Sequence, residues 1–140
     1  MNDFNKNLVD DLRANAGKPS SGPFVGRDVL ILTTRGARSG QLRENPLAYT
    51  QTGDDLIVIA SKGGAPTNPD WFHNLVANPT VTVEVLGESF PARTRVLTEG
   101  EEYESLYKQQ ADRMPAFWEY RQKTSRKIPV VVLERLSAVG

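Results

Sequence analysis

Two turns in this chain gather cations, hydroxyls and glycines. The first is Arg35-Gly36-Ala37-Arg38-Ser39-Gly40-Gln41, with Arg43 just beyond it; the second is Ser61-Lys62-Gly63-Gly64. Each follows an apolar run, Val29-Leu30-Ile31-Leu32 in one case and Leu56-Ile57-Val58-Ile59-Ala60 in the other. Arginine presents a planar fork of donors that matches phosphate and carboxylate oxygens. Glycines let successive backbone N–H groups converge on an anion. With the two strands close together, Arg38, Arg43 and Lys62 would meet on one polyanion. The plain alternatives are a solvated hairpin tip and an ordinary exposed lysine. The first turn has neither the spacing of a Walker loop nor that of a dinucleotide fingerprint.

Flat apolar surface lies next to the second turn. Asn68-Pro69 opens a short helical segment, and Asp70-Trp71-Phe72-His73-Asn74 follows. Anion donors beside aromatic rings suit a ligand that bears both a phosphate and a ring. His73 is the one histidine in the chain; it reads as a hydrogen-bonded structural residue, with a catalytic role as the alternative. A second aromatic set, Phe117, Trp118 and Tyr120, follows Met114-Pro115. Aromatics at helical spacing commonly belong to a core. Three within four residues cannot all face one core, so one of them is expected at the surface or in a pocket. Glu99, Glu101, Glu102 and Glu104 read as a solvated helix face, well placed near a helix N-terminus.

Composition narrows the function classes. The chain has 140 residues, of which 39% are hydrophobic and 24% charged, a length and balance that suit one soluble domain. Lys plus Arg and Asp plus Glu each total 17, so there is no basic excess of the kind that marks a nucleic-acid binder. With no cysteine, disulfides, thiolate metal sites and a cysteine nucleophile are excluded, and one histidine argues against a metal site. No apolar run approaches the roughly 20 residues of a membrane span, and the N-terminus lacks a signal-peptide pattern. The expectation is a cytoplasmic protein.

The elements that must position these residues are legible in outline. Residues 3–16 read as an amphipathic helix with Phe4, Leu8 and Leu12 on one face, ended by Gly17 and Pro19. A Gly/Pro/Ser loop covers 17–26. Strands are expected at 28–34, 43–50 and 56–60, with Pro46 marking an edge or bulge. A helix at 69–77 precedes a strand in which Val81, Val83 and Val85 alternate with polar residues. A turn at Gly87-Glu88 leads to a strand over 89–97, and Thr98-Glu99-Gly100-Glu101 reads as a capping box. Helices follow to Met114 and over 116–123, then a strand at 128–133. About six strands and three or four helices, joined mostly by turns, favour an α+β fold with an antiparallel sheet curled into a small barrel.

Four stretches carry a resemblance. L-T-T-R-G-A-R-S-G-Q-L-R-E-N-P-L, I-A-S-K-G-G-A-P-T-N-P-D-W-F-H-N-L-V-A-N-P, A-R-T-R-V-L-T and K-I-P-V-V-V-L-E resemble the deazaflavin (coenzyme F420)-dependent nitroreductase family of actinobacteria, over residues 28–135. The resemblance implies a split β-barrel and a hydride passed from reduced F420 to a small organic acceptor such as a quinone, nitroaromatic or unsaturated lactone. It implies one domain, an N-terminal helix and loop at 1–26 followed by an F420-binding barrel at 27–140.

Cofactor contacts carry over onto Ala37, Arg38 and Ser39, then Arg43, Glu44, Asn45, Pro46, Leu47 and Ala48. They continue on Ile59, Ala60, Ser61 and Lys62, and on Asp70, Trp71, Phe72, His73 and Asn74. Phe117 joins the ring contacts, and Tyr120 and Ser61 take the catalytic positions. F420 has a phosphodiester and an oligoglutamate tail, which a channel of Arg38, Arg43 and Lys62 would suit. Ala37 stands where relatives carry a cation, and Met114 and Phe117 where tyrosines surround the acceptor pocket, so flat apolar quinones are the expected acceptors. A monomer or homodimer is expected, with peripheral membrane contact as a further implication. An FMN-dependent oxidoreductase on the same barrel and a non-catalytic F420 carrier are the competing functions.

Overall fold

Val29–Arg35 (β1) begins with four consecutive buried apolar residues, and the layers of the fold follow from how they divide. The computed structural model describes residues 2–136. Leu30 and Leu32 point to an inner core shared with Val58, Leu75, Val83 and Val131. Val29 and Ile31 point outward, where Leu8, Val9 and Leu12 of α1 (Asp3–Ala14) cover them. A strand covered on both faces reads as an unbroken apolar run.

The same division recurs across the sheet. β4 (Asp55–Ile59) and β7 (Val130–Arg135) send Leu56, Val58, Val131 and Leu133 inward. Ile57, Ile59, Val130 and Val132 face outward, beneath α3 (Glu101–Arg113) and α4 (Ala116–Lys123). β5 (Thr80–Val85) lacks an outer cover and alternates, with Val81 and Val83 buried and Thr80 and Thr82 exposed.

β2 (Leu42–Ala48), β3 (Thr50–Thr52) and β6 (Glu88–Leu97) complete a seven-stranded sheet in the order β2-β1-β5-β6-β7-β4-β3. All pairings are antiparallel, and the sheet curls into a half-barrel with the helices outside the strand order, an α+β architecture. Pro46 sits on β2, which pairs with β1 alone and is an edge, as its missing N–H requires. α2 (Asp70–Ala77) follows a single 3₁₀ turn at Lys62–Gly64 and buries Trp71, Phe72 and Leu75 in the inner core.

Two local expectations change. The strand expected over 43–50 breaks at Tyr49, giving seven strands rather than six. The chain changes partners there, from β1 (Ala48 opposite Val29) to β4 (Thr50 opposite Ile57), and Gln110 of α3 spans the gap: it donates to the Ala48 carbonyl at 3.4 Å and accepts from Thr50 Oγ1 at 3.4 Å, while the Tyr49 amide goes to Asp28 O. The capping box does not form. α3 begins at Glu101 with Gly100 as its N-cap at φ 100°, so Glu101 is the first helical residue and not the third. Only glycine adopts that φ readily, and it turns the chain out of β6 before the helix starts.

No helix among the described residues is long and apolar enough to cross a membrane. No group of three or more metal-ligating side chains is present among them.

Candidate active site

The β1–β2 turn is closed by its own backbone. Gly36 N donates to Gln41 O at 2.7 Å and Gly40 N to Gly36 O at 3.0 Å. Arg35 reaches back to Gly40 O at 2.8 Å, and Ser39 Oγ accepts from Gln41 N at 3.1 Å. Gly36 suits this close approach, because a Cβ would lie 2.7 Å from Ser39 Oγ and 3.2 Å from Gln41 O and would displace the hydroxyl. The turn therefore consumes Arg35 and the Ser39 hydroxyl internally and leaves Arg38 exposed at its tip.

α2 faces this turn. Pro69 provides an extended N-cap, at φ −68° and ψ 156°, and Asp70 occupies the first turn. Trp71, Phe72, Asn74 and Leu75 are buried while His73 stays exposed. Asn74 joins helix to hairpin: its Oδ1 accepts from Ala37 N at 3.0 Å and its Nδ2 donates to Thr34 Oγ1 at 3.1 Å.

Between these walls lies an open cleft of about 1160 Å³. It brings together Ala37, Arg38, Ser39, Arg43, Glu44 and Asn45 from the hairpin with Asp70, Trp71, His73 and Asn74 from the helix. Thr33, Gly36 and Leu42 complete the lining.

The remaining sequence candidates lie elsewhere. Pro46, Leu47 and Ala48 continue along β2 and are half-buried. Phe72 is part of the inner core. Ile59, Ala60 and Ser61 are buried at the end of β4, and Lys62 is exposed on the next turn, its Nζ donating to Thr67 Oγ1 at 3.1 Å. Lys62 thus lies outside the cleft lining that Arg38 and Arg43 share. Phe117 is buried under α3 with Ile57 and Ile59, and Tyr120 packs edge-on against it at 5.5 Å between centroids. A would-be Cβ on Gly64 lies 2.9 Å from Tyr120 O, so α4 is seated on the 3₁₀ turn.

The charge of the cleft is set partly from outside it. Arg13 of α1 forms an ion pair with Glu44 and a second with Glu84 at 2.6 Å. Both bonds raise the Arg13 pKa above its ordinary value, Glu84 contributing most. Glu44 shares the Arg13 cation with Glu84, so Arg38 and Arg43 share the lining with Asp70 and a partly neutralised Glu44. Sequence reading missed Arg13, because Glu44 and Glu84 lie 31 and 71 residues away from it. It missed Arg126 too, which binds the Ala60, Ser61 and Ala65 carbonyls from the segment after α4.

The chain is similar to several known proteins. A model of the F420H(2)-dependent quinone reductase family matches residues 5–135. An F420H(2)-dependent quinone reductase of Mycobacterium tuberculosis is 39% identical over 108 residues, 76% of this chain and 72% of that protein. A solved F420-H2 dependent reductase is 40% identical, covers 77% of this chain and 95% of that one, and superposes with a TM-score of 0.71. A solved domain-swapped dimer is 34% identical, covers 92% and 93% of the two chains, and superposes with a TM-score of 0.72. The half-barrel is of the split-barrel type, and reduced F420 is the hydride donor of the group. The chain belongs to the F420H(2)-dependent quinone reductase family, whose members are oxidoreductases.

Proposed function

We propose that the cleft binds F420H2 through its anionic tail and that a flat, apolar quinone takes the hydride at the α4 side of the cofactor. The observation that supports this most is the convergence of Arg38 and Arg43 on one face with Trp71 and His73 of α2 on the other, across about 1160 Å³. The donor chemistry fits: two guanidinium forks suit phosphate and glutamate oxygens, and the strand and helix walls suit a flat ring. When bound, F420H2 supplies the hydride, and that chemistry is the cofactor's own.

The protein's part is placement. Arg38 and Arg43 would hold the tail, with Lys62 reaching it from the neighbouring turn. Asn45, Pro46, Leu47 and Ala48 would line the ring on one side, and Ile59, Ala60 and Ser61 on the other. Asp70, Trp71, Phe72, His73 and Asn74 would close the third wall. Holding donor and acceptor face to face accounts for most of the rate. Tyr120, with Ser61 beside the ring, would orient the quinone oxygen and donate a proton to it. Phe117 supports that wall from behind. Nitroaromatics and unsaturated lactones would be poorer acceptors, since Met114 and Phe117 bring no hydroxyl to the α4 side. The segments 1–26 and 27–140 act as one unit, through the α1 cover on β1 and the Arg13–Glu44 pair. A homodimer is part of the proposal, on the strength of the domain-swapped neighbour.

The test is reconstitution. Purified protein should retain F420 and not FMN, and bound F420H2 should be oxidised by a soluble naphthoquinone far faster than the free cofactor. Retention of FMN instead would make the protein a flavin enzyme. Retention of F420 without accelerated oxidation would make it a carrier.

A further inference from the structure

Arg126 is half-buried in the segment between α4 and β7, and it makes four hydrogen bonds to one stretch of chain. Nη1 donates to Ala60 O at 3.1 Å and to Asn68 Oδ1 at 2.5 Å; Nη2 donates to Ser61 O at 2.8 Å; Nε donates to Ala65 O at 3.1 Å. All four acceptors are neutral. Burial pulls the guanidinium pKa below its ordinary value, which is the cost of placing a cation where it meets carbonyls and no carboxylate. A side chain held under that cost is fixed by geometry, since the planar fork alone can reach both ends of a bend at once.

The stretch it grips needs an external hold. Lys62, Gly63 and Gly64 take φ values of 47°, 64° and 83° in succession. A lysine in the left-handed region carries roughly 1 kcal/mol of strain, and such residues persist where their surroundings over-determine them. Arg126 binds the carbonyls on both sides of this bend, Ala60 and Ser61 before it and Ala65 after it. Gly64 is meanwhile pinned under α4, with a would-be Cβ 2.9 Å from both Tyr120 O and Lys123 Cβ. The bend, α4 and the chain leaving α4 are thus clasped together.

The structure assigns Arg126 as the positioning residue that holds the Ala60–Asn68 segment in the bend that presents Ser61 and Lys62 to the cofactor. Its guanidinium donors go to the Ala60, Ser61 and Ala65 carbonyls and to Asn68, and it acts through the segment it grips. The assignment rests on the proposed cofactor role of Lys62. It gives the link between α4 and the cofactor bend a physical form: displacing one displaces the other.

The experiment uses the full chain in four forms: Arg126→Ala, Arg126→Lys, Lys62→Ala and the Lys62→Ala/Arg126→Ala double variant. Amide hydrogen exchange is measured over 60–68 in cofactor-free protein, and F420 affinity by fluorescence titration. Arg126→Ala should speed exchange in 60–68 by about tenfold or more, leave α1 and β1 unchanged, and weaken F420 by about tenfold. Arg126→Lys keeps the charge and loses the fork, so it should loosen the same segment to a smaller degree; it carries the test if the alanine variant does not fold. Lys62→Ala should cost much less in the Arg126→Ala background than alone, because the bend no longer presents the lysine. Wild-type exchange over 60–68 in both Arg126 variants, or additive losses in the double variant, would overturn the assignment. A wild-type affinity in Lys62→Ala would instead remove the cofactor role of Lys62 and leave Arg126 to be judged on exchange and on its own effect on affinity.

Discussion

Asn74 Oδ1 accepts the Ala37 amide at 3.0 Å, and this bond joins the two walls of the cleft. Asn74 Nδ2 donates to Thr34 Oγ1 at 3.1 Å, and the Asn74 side chain is buried. One short residue thus fixes α2 against the tip and the stem of the β1–β2 hairpin. Of the candidates in the cleft, Asn74 has both ends of its amide committed to protein partners.

Asn74→Ala leaves a buried hydroxyl and a backbone N–H without their partner. The loss should be about 2 kcal/mol of unfolding free energy, the usual scale for unmet buried polar groups. Urea titration checks it. F420 affinity should fall as well, since the walls carrying Arg38 and Trp71 are no longer tied. An affinity equal to wild type would mean that the cofactor does not use both walls.

Arg13 is expected to act on the cleft through charge. It compensates Glu44, which shares the lining with Arg38 and Arg43. Arg13→Ala should weaken F420 by about threefold at low salt, and the effect should fade as salt rises. Glu44→Gln should restore binding in the Arg13→Ala background, because the stranded carboxylate is then gone. Stability should change by less than about 1 kcal/mol, since the pair is largely solvated. Fluorescence titration at two ionic strengths reads both effects.

Alkaline stability should follow Tyr107. Its side chain is fully buried, its hydroxyl donates to Phe117 O at 2.5 Å, and burial pushes its pKa up to about 12. An unfolded tyrosine ionises near ~10. Below that pH both states keep the proton and the full stability is present. Between about pH 10 and 12 the unfolded chain gains by ionising while the folded phenol stays neutral, so stability falls as pH rises, by about 2 kcal/mol for this residue. Urea midpoints from pH 8 to 11.5 should decline along that limb. Tyr107→Phe should start from lower stability and decline less steeply. Equal slopes in the two proteins would assign the alkaline loss to other groups.

Where the sequence could be read, a local pattern was responsible. The apolar runs of β1 and β4 identified strands, and Pro115 with the residues after it placed α4 at Ala116–Lys123, as observed. Half of the cleft was visible too, as an arginine turn and an aromatic helix. What escaped was tertiary. The strand breaks at Tyr49 where the chain passes from β1 to β4, and no feature of residues 43–50 announces that change of partner. Arg13 and Arg126 carry no local signal, because their partners lie far away in sequence. The two basic turns looked equivalent, yet Arg38 and Arg43 share the cleft lining while Lys62 stands on a separate bend. Charge type is local information, and the direction in which a turn presents its charge is not.

α4 offers the last prediction, because its two aromatic candidates occupy different environments. Phe117 is buried among Ile57, Ile59, Tyr107 and Ile128, so Phe117→Ala should cost about 3 kcal/mol or more in stability through the cavity it opens. Any loss of turnover in that variant is confounded by packing. Tyr120 is half-buried, resting edge-on against Phe117. Tyr120→Phe keeps that ring contact and removes the hydroxyl alone. Its melting temperature and F420 affinity should stay near wild type. With saturating F420H2, quinone reduction should slow by about a hundredfold or more if the hydroxyl donates the proton, the ordinary range for a general acid. A solvent isotope effect on turnover should change in the same variant, which a packing role would not produce. Full activity with both a quinone and a nitroaromatic would move the acceptor away from α4.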